Sequence, residues 1–359
     1  MIRPVTMPKW GLSMERGRIT AWLAADGDEV VTGDDLAEID TDKIAGTLES
    51  PGSGVLRCVV AAAGEDVPVG GTIALLADPE TPAEELDEAA RQARQEIDAG
   101  AIAGDEGPVT GTVEVDGRSL AYATLGTEGD VVVLVHGYGG DKNSWLFVQE
   151  PLAEHRIVHA LDLPGHGEST KDVGDGSLGT LADAVLGFLD ALGVERAHLV
   201  GHSLGGAVVV AAAAKAPHRV EKLTLLAPAG FGGPVNARYL RGFATATSRR
   251  ELKPHLAALF ADPDLVTRRL ADDLLRYKRL DGVDRVLTTL LGTLLDGDAQ
   301  AIDAARLLST VDVPVTFVWG REDAVLPPGT TRPDVEHVDG AGHLVHLEAP
   351  GAVVAAITR

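Results

Sequence analysis

A chain of 359 residues is long for one domain and comfortable for two, and an apolar content of 45% is ordinary for a globular protein with a sizeable core. A net charge of −23 excludes a nucleic-acid partner, because phosphate backbones call for basic patches. No stretch reaches 18 consecutive apolar residues and no basic-then-apolar leader opens the chain, so no membrane span is expected and the cytoplasm is the expected compartment.

The acidity is uneven. Residues 1–78 hold thirteen acidic side chains against six basic ones, and residues 79–108 hold nine against two. The remaining 251 residues carry only −9 of the total. The front of the chain is therefore a distinct, strongly solvated unit. Cys58 is the only cysteine, so no internal disulfide can form. It sits in the apolar run Val55-Leu56-Arg57-Cys58-Val59-Val60 and reads as strand packing.

In chain order, residues 1–78 read as short strands at 19–23, 36–39, 46–49, 55–60 and 72–76, with Gly and Asp clustered between them. That spacing predicts a small all-β sandwich or flattened barrel. Pro79 and Pro82 end the pattern. Residues 83–99 are rich in Ala, Glu, Gln and Arg, enough for an exposed helix but without a broad apolar face. Residues 79–108 as a whole read as an acidic Ala/Pro/Gly linker.

A second pattern occupies residues 109–359. A hairpin is expected around Asp116-Gly117, and the continuous apolar run 131–135 suits a strand covered on both faces. Strand-like runs recur at 157–161, 197–200, 222–226 and 315–319, with helical stretches between them at 181–192 and 205–215. This alternation predicts a mostly parallel sheet wrapped by helices. Residues 236–308 break the rhythm: they have helical spacing and no clear strand, and read as a helical cap.

The chemistry-bearing motif of this half is Gly201-His202-Ser203-Leu204-Gly205, a Gly-x-Ser-x-Gly run with an apolar strand before it and an Ala/Val-rich helix after it. In that setting the serine occupies a sharp strand-to-helix turn, and Gly201 and Gly205 let neighbouring backbone approach without a Cβ clash. The helix N-terminus offers free N–H groups to a developing oxyanion. His136-Gly137-Tyr138-Gly139-Gly140 directly follows the run 131–135 and can supply a second donor, so the backbone N–H groups of Tyr138 and Leu204 are the expected oxyanion hole. Asp323 follows the run 315–319, with Glu322 as its adjacent rival, and His343 comes last, with His346 three residues beyond. His202 is expected to pack at the elbow and His136 to shape the oxyanion loop. None of these histidines shows metal-ligand spacing with carboxylates, so no metal is expected.

Residues 109–359 resemble the α/β-hydrolase family, in the order nucleophile, acid, histidine and in the loop Asp162-Leu163-Pro164-Gly165-His166-Gly167-Glu168-Ser169. The resemblance implies Ser203 as nucleophile, His343 as general base and acid, and Asp323 as orienter of the imidazole.

In the first unit, Lys43 lies between two strand-like runs with Asp42, a turn former, before it. Met7-Pro8-Lys9-Trp10-Gly11-Leu12-Ser13-Met14, Gly33, the Asp42-Lys43-Ile44 turn and the segment from Pro51 to Gly54 together resemble the lipoyl domains of 2-oxoacid-dehydrogenase-type complexes over residues 1–78. Biotinyl domains normally place Met on both sides of the lysine, so Asp42 and Ile44 argue against that rival. The usual lipoyl turn is Asp-Lys-Ala, and Ile44 departs from it. The resemblance implies lipoic acid in amide linkage on Lys43, whose sulfurs would supply the redox chemistry that the chain lacks.

A lipoyl carrier joined to a serine acyl-transfer site resembles the dihydrolipoyl acetyltransferase components of acetoin dehydrogenase complexes. The resemblance implies CoA as acyl acceptor, with a thiamine-diphosphate-dependent dehydrogenase component and dihydrolipoamide dehydrogenase as partners. Two departures stand out. The His-x-x-x-Asp-Gly motif of the usual acyltransferase domain is absent, His337-Val338-Asp339-Gly340 being one residue too short, and residues 79–108 show no subunit-binding domain. The usual cubic core is therefore not expected. The alternative is a hydrolase of an ester, thioester or carbon–carbon bond with a lipoyl docking domain.

Overall fold

The computed structural model describes residues 2–8, 16–41, 45–99, 108–266, 268–328 and 335–359. The chain divides into two compact units, Met1–Gly107 and Pro108–Arg359.

The first unit is built from strands β1 (Ile2–Thr6), β2 (Arg16–Trp22), β3 (Glu29–Val30), β4 (Asp35–Thr41), β5 (Ala45–Glu49), β6 (Gly54–Val59), β7 (Asp66–Pro68) and β8 (Thr72–Ala77). They form two four-stranded antiparallel sheets, ordered β1-β8-β6-β3 and β5-β4-β2-β7. Alternation along the strands buries Val5, Ile19, Leu36, Ile39, Leu56 and Ile73. β4 and β5 pair with Asp40 opposite Ala45. Lys43 lies between these strands in sequence and outside the described residues.

Within the segment read as a linker, helix α1 (Ala83–Ala99) packs on β8 and β6. Only a narrow stripe of it, Leu86, Ala93 and Ile97, is buried, and Arg94 meets Glu65 at 2.6 Å. The rest of the helix is polar and solvated, as its composition dictates.

The second unit centres on an eight-stranded sheet of β9 (Val109–Val115), β10 (Arg118–Leu125), β11 (Asp130–Val135), β12 (Arg156–Leu161), β13 (Ala197–His202), β14 (Val220–Leu226) and two later strands. A two-residue ladder, β15 (Leu295–Asp296) with β16 (Ala299–Gln300), stands apart from it. β17 (Val315–Gly320) and β18 (Val335–Val338) complete the sheet in the order β18-β17-β14-β13-β11-β12-β10-β9. β9 and β10 are antiparallel, as is β10 with β12, and the remaining pairs are parallel. The expected hairpin turns at Asp116-Gly117, both with positive φ.

The helices are α2 (Leu146–Ala153), α3 (Leu178–Ala191), α4 (Leu204–Lys215), α5 (Ala237–Thr245), α6 (Arg249–Leu256), α7 (Arg268–Lys278), α8 (Val283–Leu294), α9 (Ala304–Leu308), α10 (Val345–Glu348) and α11 (Pro350–Thr358). The continuous run in β11 splits by period two: Val132 and Leu134 join the core with α2 and α11, while Val133 and Val135 join the core with α3 and α4. Helices α5 to α8 fall within the stretch expected to be a cap. That stretch also holds the β15–β16 ladder, which its helical spacing gave no reason to expect, and α9, which packs on α4.

Several histidines of this unit are buried. His159 meets the Thr124 hydroxyl at 2.7 Å and His198 meets the Thr224 hydroxyl at 2.9 Å. Burial pushes His159 down to about 4, and His198 and His346 to about 3, and holds His166 and His202 well below the usual 6.5. The unfolded chain binds these protons more readily, so the stability they contribute is complete above about pH 6.5 and is lost as pH falls toward the folded values. Each lost proton discrimination is worth about 1.4 kcal/mol per pH unit. Denaturant titration of the C-terminal unit is therefore expected to show a loss of several kcal/mol between about pH 7.5 and 5.5, before most carboxylates titrate. Equal stability at the two pH values would contradict this reading.

Candidate active site

Ser203 stands between β13 and α4 with φ 52° and ψ −116°, a conformation that L residues rarely adopt. The surroundings impose it. Its backbone N–H donates to the Leu226 carbonyl at 2.9 Å, and its carbonyl accepts from Ala229 N–H at 3.0 Å. The two motif glycines are required by close approach. A Cβ on Gly205 would lie 2.2 Å from the Val135 carbonyl oxygen, and one on Gly201 would lie 2.4 Å from the Gly205 carbonyl oxygen. α4 thus starts tight against the end of β11, and Ser203 is raised at the carboxyl end of the parallel sheet.

His343 follows β18 and lines the same cavity as Ser203. Its Nδ1 donates to Asp323 Oδ2 at 2.8 Å, which leaves Nε2 as the acceptor nitrogen of the neutral ring. Asp323 lies beyond the end of β17 and is held by three further donors. Trp319 Nε1 reaches Oδ2 at 3.1 Å, and the N–H groups of Val325 and Leu326 each reach Oδ1 at 2.8 Å. Glu322, the sequence rival, is exposed, and its backbone N–H donates to the Ala341 carbonyl. The structure brings Asp323, not Glu322, to the imidazole.

The loop after β11 closes over the serine. A Cβ on Gly137 would be 3.0 Å from Ser203 Cβ, and one on Gly139 would be 2.4 Å from the Phe243 ring. Among the described residues, the backbone N–H groups of Tyr138 and Leu204 have no protein acceptor. The Tyr138 ring is anchored separately, its hydroxyl donating to the Leu287 carbonyl at 2.9 Å. His136 fixes the loop from beneath. Its Nε2 accepts from Leu163 N–H at 3.0 Å, so its Nδ1 carries the proton donated to the Gly137 carbonyl at 2.8 Å.

A buried carboxylate ties this loop to the next one. Asp162 accepts from the Lys142 backbone at 2.6 Å, from Lys142 Nζ at 3.1 Å and from Glu168 N–H at 2.8 Å. A Cβ on Gly167 would meet its Oδ2 at 2.1 Å, so the Asp162–Ser169 loop wraps the carboxylate. Lys142 Nζ also reaches Glu168 at 2.7 Å, so one ammonium bridges the two carboxylates.

His202 Nε2 donates to the His343 backbone carbonyl at 2.9 Å, and its ring centre lies 4.5 Å from that of His346, the two planes tilted by 52°. His346 of α10 and Ser144 also line the cavity, which measures about 160 Å³. Its far walls come from the cap: Tyr239, Leu240 and Phe243 of α5 and Leu270 and Leu274 of α7. Sequence reasoning missed these walls, because helical Leu and Phe look alike whether they line a cavity or fill a core. Chemically, the arrangement offers a strained serine, a carboxylate-held imidazole, two unused N–H groups and an apolar chamber, the apparatus of acyl transfer.

Known proteins bear on this geometry. The family described as the alpha/beta hydrolase fold matches residues 130–350, and the family described as biotin-requiring enzymes matches residues 3–76. The chain is 46% identical over 354 residues to a Pseudomonas putida protein named dihydrolipoyllysine-residue acetyltransferase component of acetoin cleaving system, covering 97% of this chain and 95% of that one. The chain belongs to that family. A second member, from Cupriavidus necator and of the same name, is 42% identical over 357 residues, covering 97% of this chain and 94% of its own. Among solved structures, a bacterial membrane phospholipase A superposes with a TM-score of 0.60 at 27% identity, over 69% of this chain and 84% of its own. These acetyltransferase components thus join a lipoyl-type unit to an α/β-hydrolase fold.

The elbow gives a direct test. Gly205→Ala places a methyl group inside contact distance of two backbone carbonyls, those of Val135 and His136. The substitution is expected to destabilise the C-terminal unit by about 1–3 kcal/mol and to abolish serine labelling by an active-site phosphonate. Normal stability with full labelling would show that the elbow tolerates the added atom.

Proposed function

We propose that Ser203, His343 and Asp323 form an acyl-transfer site, with Tyr138 and Leu204 N–H groups as the oxyanion hole, which passes an acetyl group from lipoyl-Lys43 to CoA. The observation that carries the reading is Ser203 on a strained elbow, sharing one cavity with an imidazole whose Nδ1 is bound by Asp323 at 2.8 Å. The chain is an acyltransferase component of an acetoin-cleaving type of system, and covalent lipoate is its cofactor. The pairing of β4 with β5 up to Asp40 and Ala45 supports position 43 as the carrier lysine.

When attached, the lipoyl group supplies the acyl donor as a thioester on one of its two sulfurs. Ser203 Oγ attacks the thioester carbonyl carbon while His343 Nε2 takes the hydroxyl proton. Charge gathering on the carbonyl oxygen is met by the Tyr138 and Leu204 N–H groups. The carbon–sulfur bond breaks, His343 returns the proton to the departing sulfur, and an acetyl ester remains on Ser203. The CoA thiol then repeats the sequence: His343 takes its proton, sulfur attacks the ester, and Ser203 leaves as a hydroxyl. Asp323 holds one ring tautomer throughout and stabilises the imidazolium form. Tethering donor and site in one chain raises the donor's effective concentration toward the millimolar range.

The cycle leaves a dithiol and consumes an acetyl group, so other subunits are required. A thiamine-diphosphate-dependent component that loads the acetyl group and a dihydrolipoamide dehydrogenase that reoxidises the dithiol fit those two needs. The site chemistry is tested by loading the holo-chain with acetyl and adding CoA. Acetyl-CoA is the expected product, lost by at least about a thousandfold in Ser203→Ala. Free acetate as the only product would instead support hydrolysis of the acyl-enzyme by water.

A further inference from the structure

The cap helix α5 contributes Tyr239, Leu240 and Phe243 to the wall of the Ser203 cavity. Arg238 and Gly242 are four residues apart on the same helix and therefore share a face. The His255 ring of α6 lies directly on Gly242, where a Cβ would be 2.0 Å from its Cε1. Lys278, the last residue of α7, donates from Nζ to the Phe243 carbonyl, and this Nζ lies 5.1 Å from the centre of the Phe243 ring. Lys278 and His255 thus meet α5 at Phe243 and Gly242, and Arg238 is near enough to His255 for its charge to act there.

Position and partners distinguish the cap cations from one another. Three other cap arginines are neutralised: Arg241 by Asp298, Arg249 by Asp272 and Arg276 by Asp273. Among the described residues, Arg238, His255 and Lys278 pair with no carboxylate, although the chain carries a net charge of −23. Lys278 is half-buried, and burial lowers its ammonium to about 8. His255 is pushed down by burial and then by the charges of Arg238 and Lys278. Arg238 is exposed, whereas Lys278 is a partly desolvated cation left unpaired, a cost in free energy that an incoming anion recovers.

We propose that Arg238, His255 and Lys278 form a seat for the phosphate groups of CoA, with the thin pantetheine arm passing Phe243 into the cavity toward Ser203. The proposal rests on CoA being the acyl acceptor. Phosphates are the only strongly anionic part of that acceptor, and the apolar cavity walls cannot hold them. The acidic N-terminal unit is the other anion in the system. Half-burial of Lys278 favours a narrow ligand over the carboxylates of a folded surface.

Equilibrium binding of CoA and of pantetheine, which lacks the phosphates, is measured by calorimetry on the full holo-chain and on Arg238→Ala, Lys278→Ala and Lys278→Arg. The two alanine variants are expected to weaken CoA binding about tenfold or more, to leave pantetheine binding unchanged, and to be rescued in part by Lys278→Arg. Unchanged CoA binding in the alanine variants, equal weakening of both ligands, or no CoA binding to the unsubstituted chain would overturn the seat. Transfer assays then separate the sources of negative charge, using free S-acetyl-dihydrolipoamide as donor. A raised KM for CoA with this free donor supports the seat, whereas a defect seen only with the lipoyl-borne donor would assign the cluster to docking of the acidic unit instead. A chain that binds CoA through these residues but releases only acetate would refute the acyl-acceptor reading and leave the seat standing.

Discussion

The close approach of three backbone segments around Ser203 is the constraint on which the rest of the site depends. The end of β11, the start of α4 and the Gly137 loop meet with no room for a Cβ at Gly205, Gly201 or Gly137. Backbone strain at one residue persists only when its neighbours over-determine it. Here the neighbours are strand ends, whose positions are fixed by parallel pairing deep in the sheet. The same approach that strains the serine puts the Tyr138 and Leu204 N–H groups beside it without other partners. In the proposed mechanism, presentation of the Ser203 hydroxyl and formation of the oxyanion hole are therefore one geometric event.

Polar groups buried behind the site keep that event in register. Asp162 ties the loop after β12 to the loop after β11 through Lys142, and His136 joins the same two loops through Leu163. A fully buried charge is tolerable only when its hydrogen bonds are complete, and Asp162 receives backbone and side-chain donors from both directions. On the other side, His202 fixes the backbone of His343 while Asp323 fixes its ring. The imidazole is therefore located by two independent hydrogen bonds.

Much of this was legible in the sequence because it depends on glycines and on order. Gly201, Gly205 and the His136–Gly140 run announce close backbone approach whatever packs around them, and β11, β13, β14 and β17 follow from apolar runs whose length suits a strand buried on both faces. The small all-β character of the first unit was readable from short strand-like runs separated by Gly and Asp clusters. Other features escaped for physical reasons. β1, β3 and β7 are short edge or connecting strands with little periodic signal. The choice between Asp323 and Glu322 turns on a single peptide's direction, which no composition encodes. The cavity walls from α5 and α7 and the unpaired cations Arg238 and Lys278 depend on tertiary placement, since the sequence alone gives each cap arginine the same standing.

In the proposed function, the chain brings its own acyl donor to its own nucleophile. In that function the acetyl group passes through Ser203. The most direct measurement is a rapid-quench turnover of the acetyl-loaded holo-chain followed by peptide mass analysis. An acetyl ester on Ser203 is expected to form before CoA is added and to disappear as acetyl-CoA forms. Acetyl-CoA formation at an undiminished rate in Ser203→Ala, with no acetylated Ser203 peptide in the parent chain, would contradict it.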